Sequence, residues 1–273
     1  MPERGDYHGS GGGGMTKKMD LNSDLGESFG VYKLGLDAEV IPHITSANIA
    51  CGFHAGDPAV MRKTVSLARQ HGVEVGAHPG FPDLMGFGRR NMDASLEEIQ
   101  DYVTYQMGAL QAFAQAQGMK LQHVKPHGNL YNMAVANPKL WEAIAEAVAR
   151  VDKSLLLVVL ALSKREPLPE IGKRYGIRIA FEAFPDRAYN KEGSLVSRRE
   201  KGAVIEDHEI VAQRALKMAL EGKIIAIDGT EIELKADTLC VHGDNPSAVQ
   251  MVKQIRESLT ASGVEVTAMR NFV

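Results

Sequence analysis

Short apolar segments alternate with long amphipathic ones along almost the whole chain, and this alternation restricts the fold more than any other feature. The apolar segments are Met19–Asn22, Ala47–Cys51, Glu74–His78, Leu121–Lys125, Leu155–Leu160, Arg178–Glu182 and Thr238–His242. Between them Ala59–Gln70, Leu96–Gln117, Pro138–Val151, Glu206–Glu221 and Ser247–Ser262 repeat apolar residues at the i, i+3, i+4 spacing of one helix face. The punctuation agrees. Asp57-Pro58, Asn137-Pro138 and Asn245-Pro246 each set a capping side chain before a first-turn proline, and Ser95 followed by Glu97 and Glu98 opens another helix. Gly72, Gly118, Gly176 and Gly222 stand where helices should close. A helix between two strands returns the chain to the same end of the sheet, so the pattern predicts an α/β fold with parallel strands.

An open sheet and a closed barrel share this periodicity, but they collect polar residues differently. Here polar side chains gather at the predicted carboxyl end of nearly every strand: Asp20, Asn22, Asp24 and Glu27; Asn48 and His54; His78; Lys125 and His127; Glu182 and Arg187; His242 and Asp244. A barrel takes one group from each strand end, whereas an open sheet concentrates its site at one switch point. The chain's 273 residues also match the ~250 of a β/α barrel, so residues 16–273 read as one such domain. Residues 1–15, MPERGDYHGSGGGGM, have no apolar stretch and read as a linker or tag-like extension. Phe184 to Val204 lacks periodicity and starts at a strand end, which makes it a candidate lid.

Several function classes drop out. With 31 Lys+Arg against 34 Asp+Glu there is no basic excess to track phosphates, so a nucleic-acid partner is not expected. The longest apolar run, Leu155 to Leu162, is far short of a membrane span. Cys51 and Cys240 are too far apart for a metal-thiolate motif and read as free thiols of a cytoplasmic protein. No phosphate-binding glycine loop, dinucleotide fingerprint, nucleophile elbow or His-Glu-x-x-His occurs.

Five clusters carry the chemistry that remains. LNSDLGESFG sets Asn22, Asp24 and Glu27 past the first strand, where carboxylates serve as base or cation ligands, or simply cap a turn. ANIACGFHAGDP flanks His54 with glycines that admit a ligand, while its Asp57 reads as a helix cap. VGAHPGFPDLMGFGRR supplies His78 and the pair Arg89 and Arg90, suited to clamping an anion or to plain solvation. QHVKPHGNLYN brackets Pro126 with Lys125 and His127; a Lys125 without a role would need a carboxylate partner such as Asp24 or Glu182. CVHGDN adds His242 and Asp244.

Read in order, LNSDLGE, SANIACGFHAGDP, GAHPGFPD with GFGRR, YQMGAL, HVKPHGNLYN, E-AFPDRAY and CVHGDN resemble the LamB/YcsF family, from Met19 to the C-terminus. Ser23, Asn129, Pro185 and Asn245 depart from the cysteine, alanine, alanine and threonine common there. The resemblance implies a distorted seven-stranded β/α barrel similar to that of polysaccharide deacetylases. It also implies the A component of a 5-oxoprolinase, which with B and C subunits opens 5-oxo-L-proline to L-glutamate at the expense of MgATP. On that reading Asp24, His54, His78, Lys125 and His127 are catalytic. Asn22, Glu27, Asn48, Arg89, Arg90, Glu182, Arg187, His242 and Asp244 would bind substrate or nucleotide, with Asp24, Glu27 and Asp244 as Mg²⁺ ligands or base. Two other classes stay open: a divalent-metal amidohydrolase of deacetylase type acting without ATP, for which the paired His-x-x-x-His is missing, and a non-catalytic binding subunit.

Overall fold

A computed structural model describes residues 16–241 and 246–273. The N-terminal extension, His242, Asp244 and the Asn245 cap lie outside the described residues.

Seven parallel strands close into a barrel: β1 (Lys18–Leu25), β2 (Ser46–Ala50), β3 (Glu74–His78), β4 (Leu121–Val124), β5 (Leu156–Leu160), β6 (Arg178–Ala183) and, after a hairpin, β9 (Thr238–Cys240), which pairs with both β6 and β1. The hairpin is β7 (Lys223–Ile225) with β8 (Glu231–Glu233), and a short β10 (Glu265–Val266) adds to the start of β1. The helices are α1 (Asp37–Val40), α2 (Pro58–Gln70), α3 (Leu96–Ala116), α4 (Gly128–Ala136), α5 (Pro138–Val151), α6 (Leu168–Tyr175), α7 (His208–Glu221) and α8 (Pro246–Ala261). Asp57 caps α2 by accepting from Ala59 N and Val60 N, and Ser95 and Glu98 form a reciprocal capping box on α3.

The strands are buried on both sides, but the two sides differ in chemistry. Along β1, Met19, Leu21 and Leu25 face the helix layer, while Asp20, Asn22 and Asp24 alternate into the barrel. Ile99, Val103, Met107, Leu110 and Ala114 give α3 one apolar stripe that packs into the same outer core. Inside the barrel, Leu156, Val158 and Ala180 meet Met269, from a short helical turn that plugs the amino ends of the strands.

Three readings change. Asp20 lies not at a carboxyl end but at the barrel floor, because β1 runs on to Leu25, three residues past the Asn22 that the apolar pattern suggests; it accepts from Thr45, Ser46 and Thr238 hydroxyls. The stretch from Gly128 folds as α4, and its Gly and Asn residues hid the helix. Phe184 to Val204 is a packed segment with bridges Arg187–Val204 and Tyr189–Leu195 and buried Ala188, Val196 and Ala203.

Candidate active site

Polar layers climb the barrel from floor to mouth. Above Asp20, Asn48 Nδ2 donates to Asn22 Oδ1 at 2.7 Å and to Asp24 Oδ1 at 2.8 Å, and the buried His123 ring reaches Asn48 Oδ1 at 2.6 Å. Gly76 makes room for that ring: a Cβ there would lie 2.2 Å from His123 Nε2. Sequence reading missed His123, which looks like any strand residue until the barrel closes.

The next layer is built on Lys125, just past β4. Its ammonium lies 2.9 Å from Asp24 Oδ1 and 2.7 Å from Glu182 Oε1, 3.2 Å from Cys240 Sγ, and over the Phe184 ring. The carboxylate partner that a structural role for Lys125 demands is therefore present twice. Burial works against the charged ammonium, but Asp24, Cys240 and Glu182 outweigh it and hold the Lys125 pKa well above its usual value. Burial likewise opposes the Asp24 anion, and His78 and Lys125 outweigh it, keeping that carboxyl well below the ordinary range. With Oδ1 given to Lys125 and Asn48 and Oδ2 3.3 Å from His78, Asp24 is committed to protein partners rather than poised for Mg²⁺. Glu182 is fully buried and also accepts from Tyr131 OH at 3.1 Å, so it supports Lys125 from below.

Three imidazoles form the mouth. His78 Nδ1 meets Lys125 O at 2.7 Å, His127 Nε2 meets Phe87 O at 2.8 Å, and the remaining nitrogens, His78 Nε2 and His127 Nδ1, face each other at 3.0 Å. The carbonyl that orients His127 comes from Phe87, a non-glycine residue at φ 54°, a conformation that costs energy and marks a constrained loop. His54 stacks on His127 with ring centroids 3.6 Å apart, is fully buried, and among the described residues has no hydrogen-bond partner at either nitrogen. Gly80 and Gly88 admit these rings, since a Cβ on either would come within 3 Å of His54. Gln106, in the YQMGAL stretch, clamps Gly80 by bonding both its N–H and its carbonyl. Glu27 Oε1 lies 3.8 Å from His54 Nε2 and 3.9 Å from His127 Nδ1. One ligand atom each from Glu27, His54, His78 and His127 lies within 4.8 Å of the others, a donor set that could hold a metal ion.

Beside the imidazoles opens a cavity of about 170 Å³, lined by Asp24, His78, Lys125 and His127 and, on its rim, Arg89 and Arg198. Arg187 also reaches it, but its guanidinium donates to Val196 O and Ala203 O and so holds its own loop together. The arginine pair splits. Arg89 lines the cavity, whereas Arg90 turns away to Asp83, with which it forms an ion pair. The structure thus gathers Asp24, His54, His78, Lys125, His127, Glu27, Arg89 and Glu182 and leaves Arg90 outside, with Asn22 and Asn48 one layer below. Gln106 and Tyr131 lie inside the YQMGAL and HVKPHGNLYN stretches, but sequence reading singles out neither as a site residue, nor Arg198.

The LamB/YcsF family profile matches residues 19–273. The A subunit of the 5-oxoprolinase from Thermococcus sibiricus is 56% identical over 256 residues, covering 94% of this chain and 99% of that protein. Its counterpart from Campylobacter jejuni is 52% identical over the same shares. A crystal structure of the lactam utilization protein from Thermus thermophilus superposes with a TM-score of 0.86 at 50% identity, covering 92% of this chain and 99% of that one.

Proposed function

The chain belongs to the LamB/YcsF family, and from that premise we propose that it is the A component of an ATP-dependent 5-oxoprolinase, opening 5-oxo-L-proline to L-glutamate with ATP hydrolysed to ADP and phosphate. The observation that carries the reading is agreement in kind between the relatives' name and the cavity. Relatives 52–57% identical over 92–94% of the chain carry the name of the 5-oxoprolinase A component, and the cavity offers cations and imidazoles side by side.

A lactam is a poor electrophile because amide resonance must be broken. Transfer of the γ-phosphoryl group to its carbonyl oxygen, with ADP leaving, removes that resonance; water then adds at the activated carbon, the C–N bond breaks with the nitrogen leaving as the amine, and a second water hydrolyses the resulting acyl phosphate to carboxylate and phosphate. In this reading Arg89 and Lys125 hold the substrate carboxylate or the transferring phosphoryl group, Asp24 and Glu182 keep Lys125 charged and in place, and the His54–His78–His127 group handles the protons that ring opening moves. The cavity is below the ~300–1,000 Å³ of most ligand pockets, which suits a single-ring substrate and leaves the nucleotide to lie across the rim, bringing its own Mg²⁺. Val31, Tyr32 and Met85, in loops after β1 and β3, are 90%, 71% and 92% exposed and would be apolar contacts for B and C subunits. Among the described residues no helix is long and apolar enough to cross a membrane; the reading places the chain in the cytoplasm, with ATP.

The test is glutamate release from 5-oxoproline, for this chain alone and mixed with its B and C subunits, with and without MgATP. Release only in the complete mixture is expected. A complete mixture without activity overturns the reading. Release by the chain alone without ATP would favour the second reading, a metal-dependent amidohydrolase, for which the donor set of Glu27 and three histidines speaks.

A further inference from the structure

The two facing nitrogens at the mouth pose a problem that a pair of neutral imidazoles leaves unsolved. A carbonyl oxygen only accepts, so His78 Nδ1 must carry hydrogen to bond Lys125 O, and His127 Nε2 must carry hydrogen to bond Phe87 O. In the neutral rings His78 Nε2 and His127 Nδ1 are then both bare, with lone pairs 3.0 Å apart. Something positive has to sit between them, either an added proton or a cation, and the Asp24 carboxylate, with Oδ2 3.3 Å from His78 Nε2, favours both.

We propose that Glu27, His54, His78 and His127 bind one divalent first-row transition-metal ion at the barrel mouth. Nitrogens bound to one ion at about 2.0–2.1 Å lie roughly 3.0–3.4 Å apart, and the His78–His127 separation of 3.0 Å falls in that range. Both rings give their other N–H to a backbone carbonyl, the usual means of fixing tautomer and orientation in a metal-bound histidine. Glu27, 3.9 Å from His127 Nδ1, needs only a small side-chain shift to join. His54 is buried with two nitrogens that find no hydrogen-bond partner among the described residues, a costly state for a polar ring that is not a ligand. Stacked on His127, it reaches the same ion by turning its ring, with no hydrogen bond to break.

Three imidazoles and one carboxylate suit zinc, cobalt, nickel or iron and not Mg²⁺, which prefers oxygen ligands and retains water. His78 and His127 line the cavity, so an ion there would act as a Lewis acid at its edge. The inference does not rest on the 5-oxoprolinase reading, because metal uptake is read without turnover.

The experiment is titration of chelator-treated protein with Co²⁺, followed by visible absorption and metal content. One equivalent bound per chain with ligand-field bands is expected, with affinity at least ~10²-fold weaker in His127→Ala and Glu27→Gln and unchanged in His71→Ala, on the surface. The melting temperature should rise with Co²⁺ in the wild type and not in Glu27→Gln, a half-buried, conservative change that spares the fold. No stoichiometric uptake by folded wild-type protein, or equal uptake by His127→Ala and Glu27→Gln, overturns the proposal. So does an imidazole nitrogen spectrum showing His78 doubly protonated in the presence of excess Co²⁺, since a proton would then occupy the gap.

Discussion

Lys125 is the residue whose replacement tells most about how the barrel interior is balanced. Lys125→Met leaves Asp24 and Glu182 buried without their cation, so the variant should lose about 3–5 kcal/mol in urea unfolding. Its glutamate release in the assembled enzyme should fall at least ~10²-fold. The pair Lys125→Met with Glu182→Gln separates the two effects: stability should recover in part while activity stays low. Recovery of activity would show that Lys125 serves structure alone. Ser23 offers the opposite sign. It faces the helix layer, fully buried, and its hydroxyl finds no hydrogen-bond partner among the described residues. A thiol is cheaper to bury than a hydroxyl, so Ser23→Cys should raise the unfolding free energy by about 1–2 kcal/mol. An unchanged or lower value would mean that the site cannot hold the larger sulfur.

At the level of elements, the register between β3 and β4 depends on what each strand leaves out. Gly76 stands opposite His123, and a methyl group there would collide with the imidazole. Gly76→Ala should therefore cost about 1–3 kcal/mol, and the double variant with His123→Ala should cost less than the sum of the two, since the collision disappears with the ring. Strict additivity would place the strain elsewhere. Asp57 joins two elements: one carboxylate oxygen caps α2, and the other accepts from Gly30 N in the loop after β1. Asp57→Ala should lower stability by about 1 kcal/mol and speed amide exchange of Gly30. It lies outside the imidazole group, which explains why the cap reading of its Asp-Pro pair holds.

For the whole molecule, the polar interior makes stability depend on pH through a buried group far from the mouth. Burial pushes the Asp20 carboxyl up to about 6 from 3.8, against the hydroxyls of Ser46, Thr238 and Thr45. A folded state with the higher pKa binds more protons than the unfolded chain between those values. The charged carboxylate therefore costs stability above that window, and the cost is relieved as pH falls through it. Asp20→Asn has no such proton to gain. Relative to this variant, the wild type should gain about 2–3 kcal/mol in going from pH 7 to pH 4, measured by urea unfolding at each pH; parallel curves would contradict the assignment. His123, which burial chiefly pushes down to about 3, acts with the opposite sign, losing stability as pH falls below its ordinary value of 6.5, so the two largely offset each other in the wild type.

The sequence by itself determined the layer architecture, because strand and helix periodicities and their caps are local properties that a few neighbouring residues specify. It also placed Asp24, His54, His78, Lys125 and His127 near one mouth, since parallel strands must end on the same side. Tertiary structure decided what each of these groups touches. Arg89 and Arg90 are adjacent and chemically alike, yet one lines the cavity and the other pairs with Asp83. Glu182 and Lys125 are separated by two strand ends in sequence and by 2.7 Å in the barrel. Closing the barrel sets which lone pairs face one another, and no local pattern encodes that.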